Sequence, residues 1–218
     1  MARTQALPPI GPRPRQARGV EKRRRVYEAA LAEFARHGVD NARVEDIVAA
    51  AEVSWGTFFR YFPRKEDVLL EAAVDMYCTS VSPAVEALLA AGDVPTRDVV
   101  ERLFDGLVRS ELPPHVHGAM LHETMNLPLR FAELLGDSAE PVLILLVRVL
   151  EEGVRRGEVR DDISPLILAP VLAAGTLFPV AQGAYGELPA LRDMPSRSDP
   201  GALLSQVLSV AWSAIEPR

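Results

Sequence analysis

The chain has 218 residues, of which 48% are hydrophobic and 25% are charged, as in an ordinary folded globular protein. Its formal net charge of −6, taken alone, argues against a nucleic-acid-binding protein. The single cysteine, Cys78, excludes an internal disulfide, and the polar, proline-rich start lacks the apolar core of a secretory signal. We therefore expect a cytoplasmic protein.

The charge is unevenly distributed along the chain. Residues 1–65 hold 13 Lys and Arg against 7 Asp and Glu, whereas residues 66–218 hold 11 against 23. A basic head on an acidic body is typical of a modular DNA-binding protein, because phosphate contacts require cations on one face only.

The N-terminal part begins with a proline- and arginine-rich arm, residues 1–17, which we expect to be disordered. A helix is predicted from Arg18 to His37, with an apolar stripe at Val26, Ala30 and Phe34. Gly38 is a natural C-terminal stop for this helix. The arginines at 23–25 are interpreted as partly a solvated helix face.

Residues 44–62 predict two short helices joined by a tight turn. Val53 is the apolar residue of the turn, and Ser54 is expected to cap the second helix. This second helix carries Trp55, Thr57 and Arg60, which suit contacts with bases and phosphates better than a core. Two helices of an ordinary bundle are the alternative, but they would not explain the polar side chains or Gly56 in so short a helix.

The remaining segments all show helical periodicity. Pro63 is expected to begin a fourth helix, with residues 64–67 as its first turn. Further helices are predicted near 83–91, 96–111, 115–135, 138–156, 164–185 and 199–215. We see no β-alternation, so the sequence predicts an all-α protein of about nine or ten helices.

The segments 141–154 and 164–184 are apolar around most of their circumference and must be buried on more than one side. We expect both segments to contribute to a dimer interface, with a buried core helix as the alternative for each. The uncharged stretch 163–186 is long enough to span a bilayer. Pro170, Pro179 and Gln182 interrupt it and acidic residues flank it, so no membrane partner is expected.

The helix-turn-helix segment resembles the TetR family of transcriptional repressors. The similarity covers about 50 residues, from Arg18 to Leu70, and a weaker likeness extends over residues 151–165. Three departures are Arg43 in place of the common Thr, Glu52 in place of Gly, and Phe59 in place of Tyr. The residues in register with the family pattern are Val44, Ile47, Ala51, Val53, Ser54, Gly56, Thr57, Tyr61, Phe62, Lys65, Glu66 and Leu69.

The resemblance implies an all-α fold with an N-terminal three-helix helix-turn-helix DNA-binding head, residues 18–65, joined to a larger helical ligand-binding and dimerisation body, residues 66–218. It implies a homodimer that binds a palindromic operator in double-stranded DNA, with no cofactor. By resemblance and side-chain chemistry, the candidate DNA-binding residues are Arg13, Arg15, Arg18, Arg43, Ser54, Trp55, Gly56, Thr57, Arg60, Tyr61 and Lys65.

The body is expected to contain an apolar pocket for a small-molecule effector. Aromatic, Met and Leu side chains would form its walls and a few polar groups would orient the ligand. Each of these residues alone is also compatible with ordinary core or surface. The candidate ligand-binding residues are Tyr77, Phe104, Leu107, Met120, Leu121, His122, Glu123, Met125, Asn126 and Phe178.

Other functions are less well supported by the sequence. His115, His122 and Glu123 invite a metal-site or enzyme reading, but they match no zinc-binding spacing, and no phosphate loop or nucleophile motif is present. We therefore expect no metal and no catalysis. The main alternative to an effector-released repressor is a ligand-independent DNA-binding or protein-interaction module.

Overall fold

The computed structural model describes residue 10, residues 17–185 and residues 200–217. All regular structure in this part of the chain is helical, which confirms the all-α prediction. It has more helices than the nine or ten expected. In order they are α1 (Ala17–His37), α2 (Val44–Ala50), α3 (Trp55–Tyr61), α4 (Asp67–Met76), a π-helical segment (Tyr77–Val81), α5 (Ser82–Ala91), α6 (Thr96–Val108), α7 (Pro114–Asn126), α8 (Pro128–Leu135), α9 (Val142–Arg155), α10 (Pro165–Tyr185) and α11 (Pro200–Ser213).

Two boundaries differ from the sequence expectation. The fourth helix begins at Asp67 and not at Pro63, because residues 63–66 form a turn in which the backbone N–H of Arg64 donates to the Asp67 carboxylate at 2.9 Å. The expected helix 115–135 is two helices. Pro128 lacks a backbone N–H and disfavours helical backbone in the residue before it, so a new helix begins there.

The chain folds as two compact units. The first contains residues up to Ala73 together with His115–Leu134, and the second contains Val74–Pro114 and the residues from Leu135 onward. This division assigns α7 to the same unit as α1–α3. The domain boundary placed at residue 65 from the sequence stays a prediction.

The helix-turn-helix forms part of the first unit. Helix α2 packs against both α1 and α3, and the apolar stripe of α1 is fully inaccessible to solvent, as are Ile47 of α2 and Phe58 of α3. Gly38 ends α1 with φ of 76°, and its N–H donates to the Phe34 carbonyl at 2.9 Å. The predicted stop signal is thereby confirmed.

In the second unit, α10 packs against both α9 and α11, while α6 contacts α5, α9 and α11. Most apolar side chains of α9 are buried inside this unit, among them Leu145, Val149 and Leu150, but Leu143 and Ile144 near its start are 39% and 45% exposed. The helix α9 is therefore mainly a core helix, whereas α10 keeps an exposed apolar stripe along its length.

The continuous helical stretch Asp67–Ala91 is long and apolar enough to cross a membrane by length and composition alone. Its most apolar window is 56% buried inside the structure, as in the core helix of a globular protein. This stretch was not the one singled out from the sequence, because its apolar residues are spread over two helices and the π-helical segment between them.

Candidate DNA interface and effector region

The turn between α2 and α3 has the predicted geometry. The Ser54 hydroxyl accepts the N–H of Thr57 at 3.3 Å and lies 3.0 Å from the Thr57 hydroxyl, so its role as N-cap is confirmed. Glu52 adopts φ of 53°, a left-handed conformation that glycine adopts without strain. Its carboxylate pairs with Arg25 of α1 at 3.0 Å, which ties the turn to the first helix.

The N-cap and outer face of α3 carry five of the eleven predicted DNA-binding residues. Ser54, Trp55, Gly56 and Arg60 are exposed and Thr57 is half-buried. A Cβ added at Gly56 would have no heavy atom within 4 Å, so this side of the helix is open for close approach of another molecule. Arg43, at the N-cap of α2, is also exposed.

Two other predicted contact residues already hold the head together. Tyr61 is buried, and its hydroxyl donates to the Gly19 carbonyl of α1 at 3.3 Å. Lys65 Nζ donates to the carbonyls of Asp40 and Ala42 at 2.9 and 3.1 Å, which secures the loop between α1 and α2. Their contacts with phosphate stay predictions, and each side chain has a structural role besides.

The basic arm is only partly visible. Arg13 and Arg15 lie outside the described residues, and Arg18 is exposed near the start of α1.

Arg23 is not on a solvated helix face, contrary to the interpretation from the sequence. It is buried, pairs with Glu71 at 2.5 Å and lies over the Phe62 ring at 4.6 Å. The sequence does not distinguish Arg23 from the next arginine in the run. Arg24 is exposed and pairs with residues of its own helix.

Within the first unit, a second buried ion-pair network joins α4 to α7 and α8. Asp67 is fully buried and pairs with Arg130 of α8 and with Arg64. Arg64 also pairs with Glu123 of α7 at 2.8 Å. Burial opposes the charged form of Arg64, but the carboxylates of Glu123 and Asp67 outweigh it and raise the pKa of the guanidinium. The sequence predicts Asp67 only as part of the first turn of the fourth helix and does not indicate its burial.

The predicted effector residues of the first unit have different environments. Met120 and Leu121 are buried, and Met125 is half-buried. His122 and Asn126 are exposed and hydrogen-bond to each other at about 3.0 Å. The fourth polar candidate, Glu123, is engaged by Arg64 as described above.

In the second unit, Tyr77 and Phe104 are buried and Leu107 is half-buried. The Tyr77 hydroxyl donates to the Glu140 carbonyl at 2.7 Å, and burial raises the pKa of this hydroxyl. Phe178 is 54% exposed and shares the outer face of α10 with other apolar side chains. It therefore belongs with that face and not with the buried aromatic residues.

The second unit also has three surface depressions, of 290, 390 and 330 Å³. Charged side chains from α6, α9 and the loop after α9 line much of them, such as Asp98, Arg148 and Asp161. The predicted effector residues do not line these three depressions.

The residues that suggested an enzyme or metal site each have a different interaction partner. His115 Nε2 lies 3.1 Å from the Phe34 carbonyl, while His122 and Glu123 have the partners given above. Across residues 17–185 and 200–217, no group of three or more His, Cys, Asp or Glu side chains is arranged to hold a metal ion.

Comparison with known proteins agrees with this architecture. The family model for bacterial regulatory proteins of the tetR family matches residues 26–72. The regulator TcmR of Streptomyces glaucescens is 33% identical over 173 residues, which are 76% of this chain and 74% of TcmR. The regulator YdgC of Bacillus subtilis (strain 168) is 34% identical over 89 residues, and the match spans 45% of its length.

A similar solved structure is that of Thermus thermophilus FadR, a TetR family transcriptional repressor. It has 27% sequence identity and a TM-score of 0.63, and the alignment covers 87% of this chain and 92% of FadR. The helix-turn-helix geometry, the family model and the relation to TcmR over most of both proteins agree: the chain belongs to the TetR family of helix-turn-helix transcriptional regulators.

Proposed function

We propose that this protein is a dimeric repressor that binds a palindromic operator and is released from it by a small, largely apolar effector. The observation that carries the proposal is the exposed face of α3, which offers Ser54, Thr57 and Arg60 at the N-terminal end and side of a recognition helix. The basic balance of residues 1–65 supplies the charge for phosphate contacts.

The exposed stripe of α10 supports dimerisation. Exposed apolar residues recur along it at helical spacing, and small exposed residues of α11, such as Ala202 and Ser209, allow a close approach of a second copy. Solvent exposure of such a stripe is unfavourable, so a second copy that covers it is stabilising. The stripe consists of Leu166, Ile167, Pro170, Val171, Ala174, Gly175 and Phe178.

An apolar effector is the best-supported chemical class. Within the second unit, the buried candidates Tyr77 and Phe104 offer apolar walls. The FadR of Thermus thermophilus, at 27% identity, was crystallised with lauroyl-CoA, so long-chain acyl compounds are reasonable first probes. The effector acts on DNA binding only through different affinities for the two states of the repressor.

DNA binding and assembly are tested together. Duplexes are selected from a random pool by the purified protein, and the complex is sized by sedimentation at micromolar concentration. We expect a dimer on a palindrome whose half-sites lie about one helical turn apart. A monomer that selects no sequence would refute the proposal.

The surface that holds the dimer together is tested by charge substitution. Val171→Glu and Phe178→Glu should give monomers with weakened operator binding, because each places an unpaired charge in the contact. Leu129→Glu is the matched control, since Leu129 is 80% exposed on α8 and lies outside the stripe. Dimers of both α10 variants would refute this surface.

The effector role is tested with lauroyl-CoA and dodecanoate in fluorescence titrations, with and without operator DNA. An effector should weaken DNA binding by the same factor by which DNA weakens effector binding. Met120→Trp should block release and leave DNA binding intact. Lost DNA binding with normal effector affinity would show that Met120 supports the fold and not a pocket.

The ligand-independent module is retained because the candidate wall residues of the second unit, Tyr77 and Phe104, are each at most 1% exposed. A solid core of this kind needs no effector. Operator binding that no compound of a diverse apolar library changes would favour this second function.

A further inference from the structure

Two large aromatic side chains lie exposed on the recognition helix. Trp55 is 46% exposed and Phe59 is 41% exposed, and their ring centroids are 5.7 Å apart. They stand four residues apart and therefore share one face of α3. This face also carries the open side of Gly56.

The pair is held in place from behind. Phe58 is fully buried, and its ring meets Phe59 edge-on with centroids 5.2 Å apart. Phe58 in turn contacts Phe62, another fully buried ring, so the exposed rings rest on the core of the head. Rigid aromatic groups lose little conformational entropy when they bind a partner.

The chemistry of the major groove limits what such a pair can recognise. Base edges in this groove present hydrogen-bond donors and acceptors, and the thymine 5-methyl group is the apolar feature among them. The Phe59 side chain has no polar atom, so it has no donor or acceptor with which to read the other edges. Trp55 contributes one N–H at the edge of an otherwise apolar ring.

We propose that Trp55 and Phe59 form an apolar reader for thymine 5-methyl groups in each operator half-site. The inference rests on the proposed operator binding and adds the base class that the helix selects. It also separates two kinds of contact on α3: the aromatic pair reads methyl groups, whereas Thr57 and Arg60 read polar edges and phosphates.

The test removes the methyl group and keeps every hydrogen-bonding atom of the base pair. The highest-affinity duplex from the selection is prepared with deoxyuridine in place of thymidine, first throughout and then at single positions. Affinities for both forms and for random DNA are measured by fluorescence anisotropy at one salt concentration. Removal of one contacted methyl group should weaken specific binding about four-fold, as expected for one buried carbon.

The positions at which deoxyuridine weakens binding should occur symmetrically in the two half-sites. The affinity for random DNA should be the same with thymidine and with deoxyuridine. Equal affinity for the thymidine and deoxyuridine forms, with clear preference over random DNA, would overturn the inference and leave the repressor proposal standing. Failure to select any sequence would overturn both.

Protein variants distinguish methyl reading from an effect of deoxyuridine on DNA shape. Phe59→Ala and Trp55→Ala should reduce the thymidine-to-deoxyuridine affinity ratio towards one, because the methyl group then has no aromatic contact. Arg60→Ala is the matched control on the same helix and should keep the ratio while it weakens binding. An unchanged ratio in both aromatic variants, with melting temperatures close to that of the wild type, would refute the assignment.

Discussion

Arg130 of α8 holds both carboxylate oxygens of Asp67 at the start of α4, through Nε–Oδ1 at 3.0 Å and Nη2–Oδ2 at 2.7 Å. Asp67 is fully buried and Arg130 is 8% exposed. A bidentate, buried pair of this kind is directional, so it defines how α8 and α4 pack within the first unit. Asp67 accepts further hydrogen bonds from the backbone and side chain of Arg64, which satisfies the charge.

Replacement of one partner should be far more costly than loss of a surface ion pair. Arg130→Met leaves Asp67 buried with Arg64 alone and should lower the free energy of unfolding by about 3–5 kcal/mol. Arg24→Met is the control, since its pairs with Glu21 and Glu28 are exposed, and should change the free energy of unfolding little. Urea denaturation measures both. Similar small losses would mean that Arg64 alone satisfies Asp67.

Lys65→Ala should weaken binding to all DNA sequences, because the proposed phosphate contact of Lys65 would be lost together with its hydrogen bonds to the carbonyls of Asp40 and Ala42. The slope of log affinity against log salt should fall by about one. Arg60→Ala should instead relax specificity at one position. Equal losses on operator and random DNA for Arg60→Ala would assign Arg60 to phosphate.

Gly56→Ala should separate stability from DNA binding. The added Cβ meets nothing within 4 Å, and alanine favours helix, so unfolding should become harder by up to about 1 kcal/mol. Operator affinity should fall, because the methyl group keeps the backbone of α3 away from the groove. Unchanged affinity in anisotropy titrations would show that the backbone does not approach closely.

Gly153→Ala should have the opposite effect on stability. Its Cβ would lie 2.6 Å from Val159 Cγ2 and 2.7 Å from Thr96 Cγ2, where α9 passes the start of α6. Overpacking of this kind costs about 1–3 kcal/mol, which exceeds the gain in helix propensity. Gly56→Ala is the matched control in thermal melts. A raised melting temperature for both variants would mean that Thr96 and Val159 move aside.

Acid should weaken the second unit through Glu158. Its Oε2 accepts the Thr96 N–H at 2.6 Å at the start of α6, and hydrogen bonding from Thr96 lowers the pKa of this carboxyl below 4.5. The stabilisation is therefore complete above about pH 4.5 and is lost as the pH falls through the lower folded value. Glu158→Gln should flatten this acid limb in melts between pH 7 and 3, whereas Glu101→Gln should not. Parallel curves for wild type and Glu158→Gln would contradict this role.

The sequence by itself determined the head of this protein. Short-range signals are sufficient there: the periodicity of α1, the stop at Gly38 and the cap at Ser54 act within a few residues, and all agree with the structure. From the sequence, Trp55 suits DNA contacts better than a core position, and it is exposed in the structure.

Only the tertiary structure decided which charges and apolar faces are buried. Arg23 and Asp67 look like surface residues in the sequence, and their partners Glu71 and Arg130 are 48 and 63 residues away along the chain. Segments 141–154 and 164–184 look equally apolar, yet α9 buries most of its apolar side chains within its unit, except Leu143 and Ile144, whereas α10 keeps an exposed stripe along its length. Burial and ion pairing depend on contacts between distant segments, and periodicity reports only which face of a helix is apolar and not what covers it.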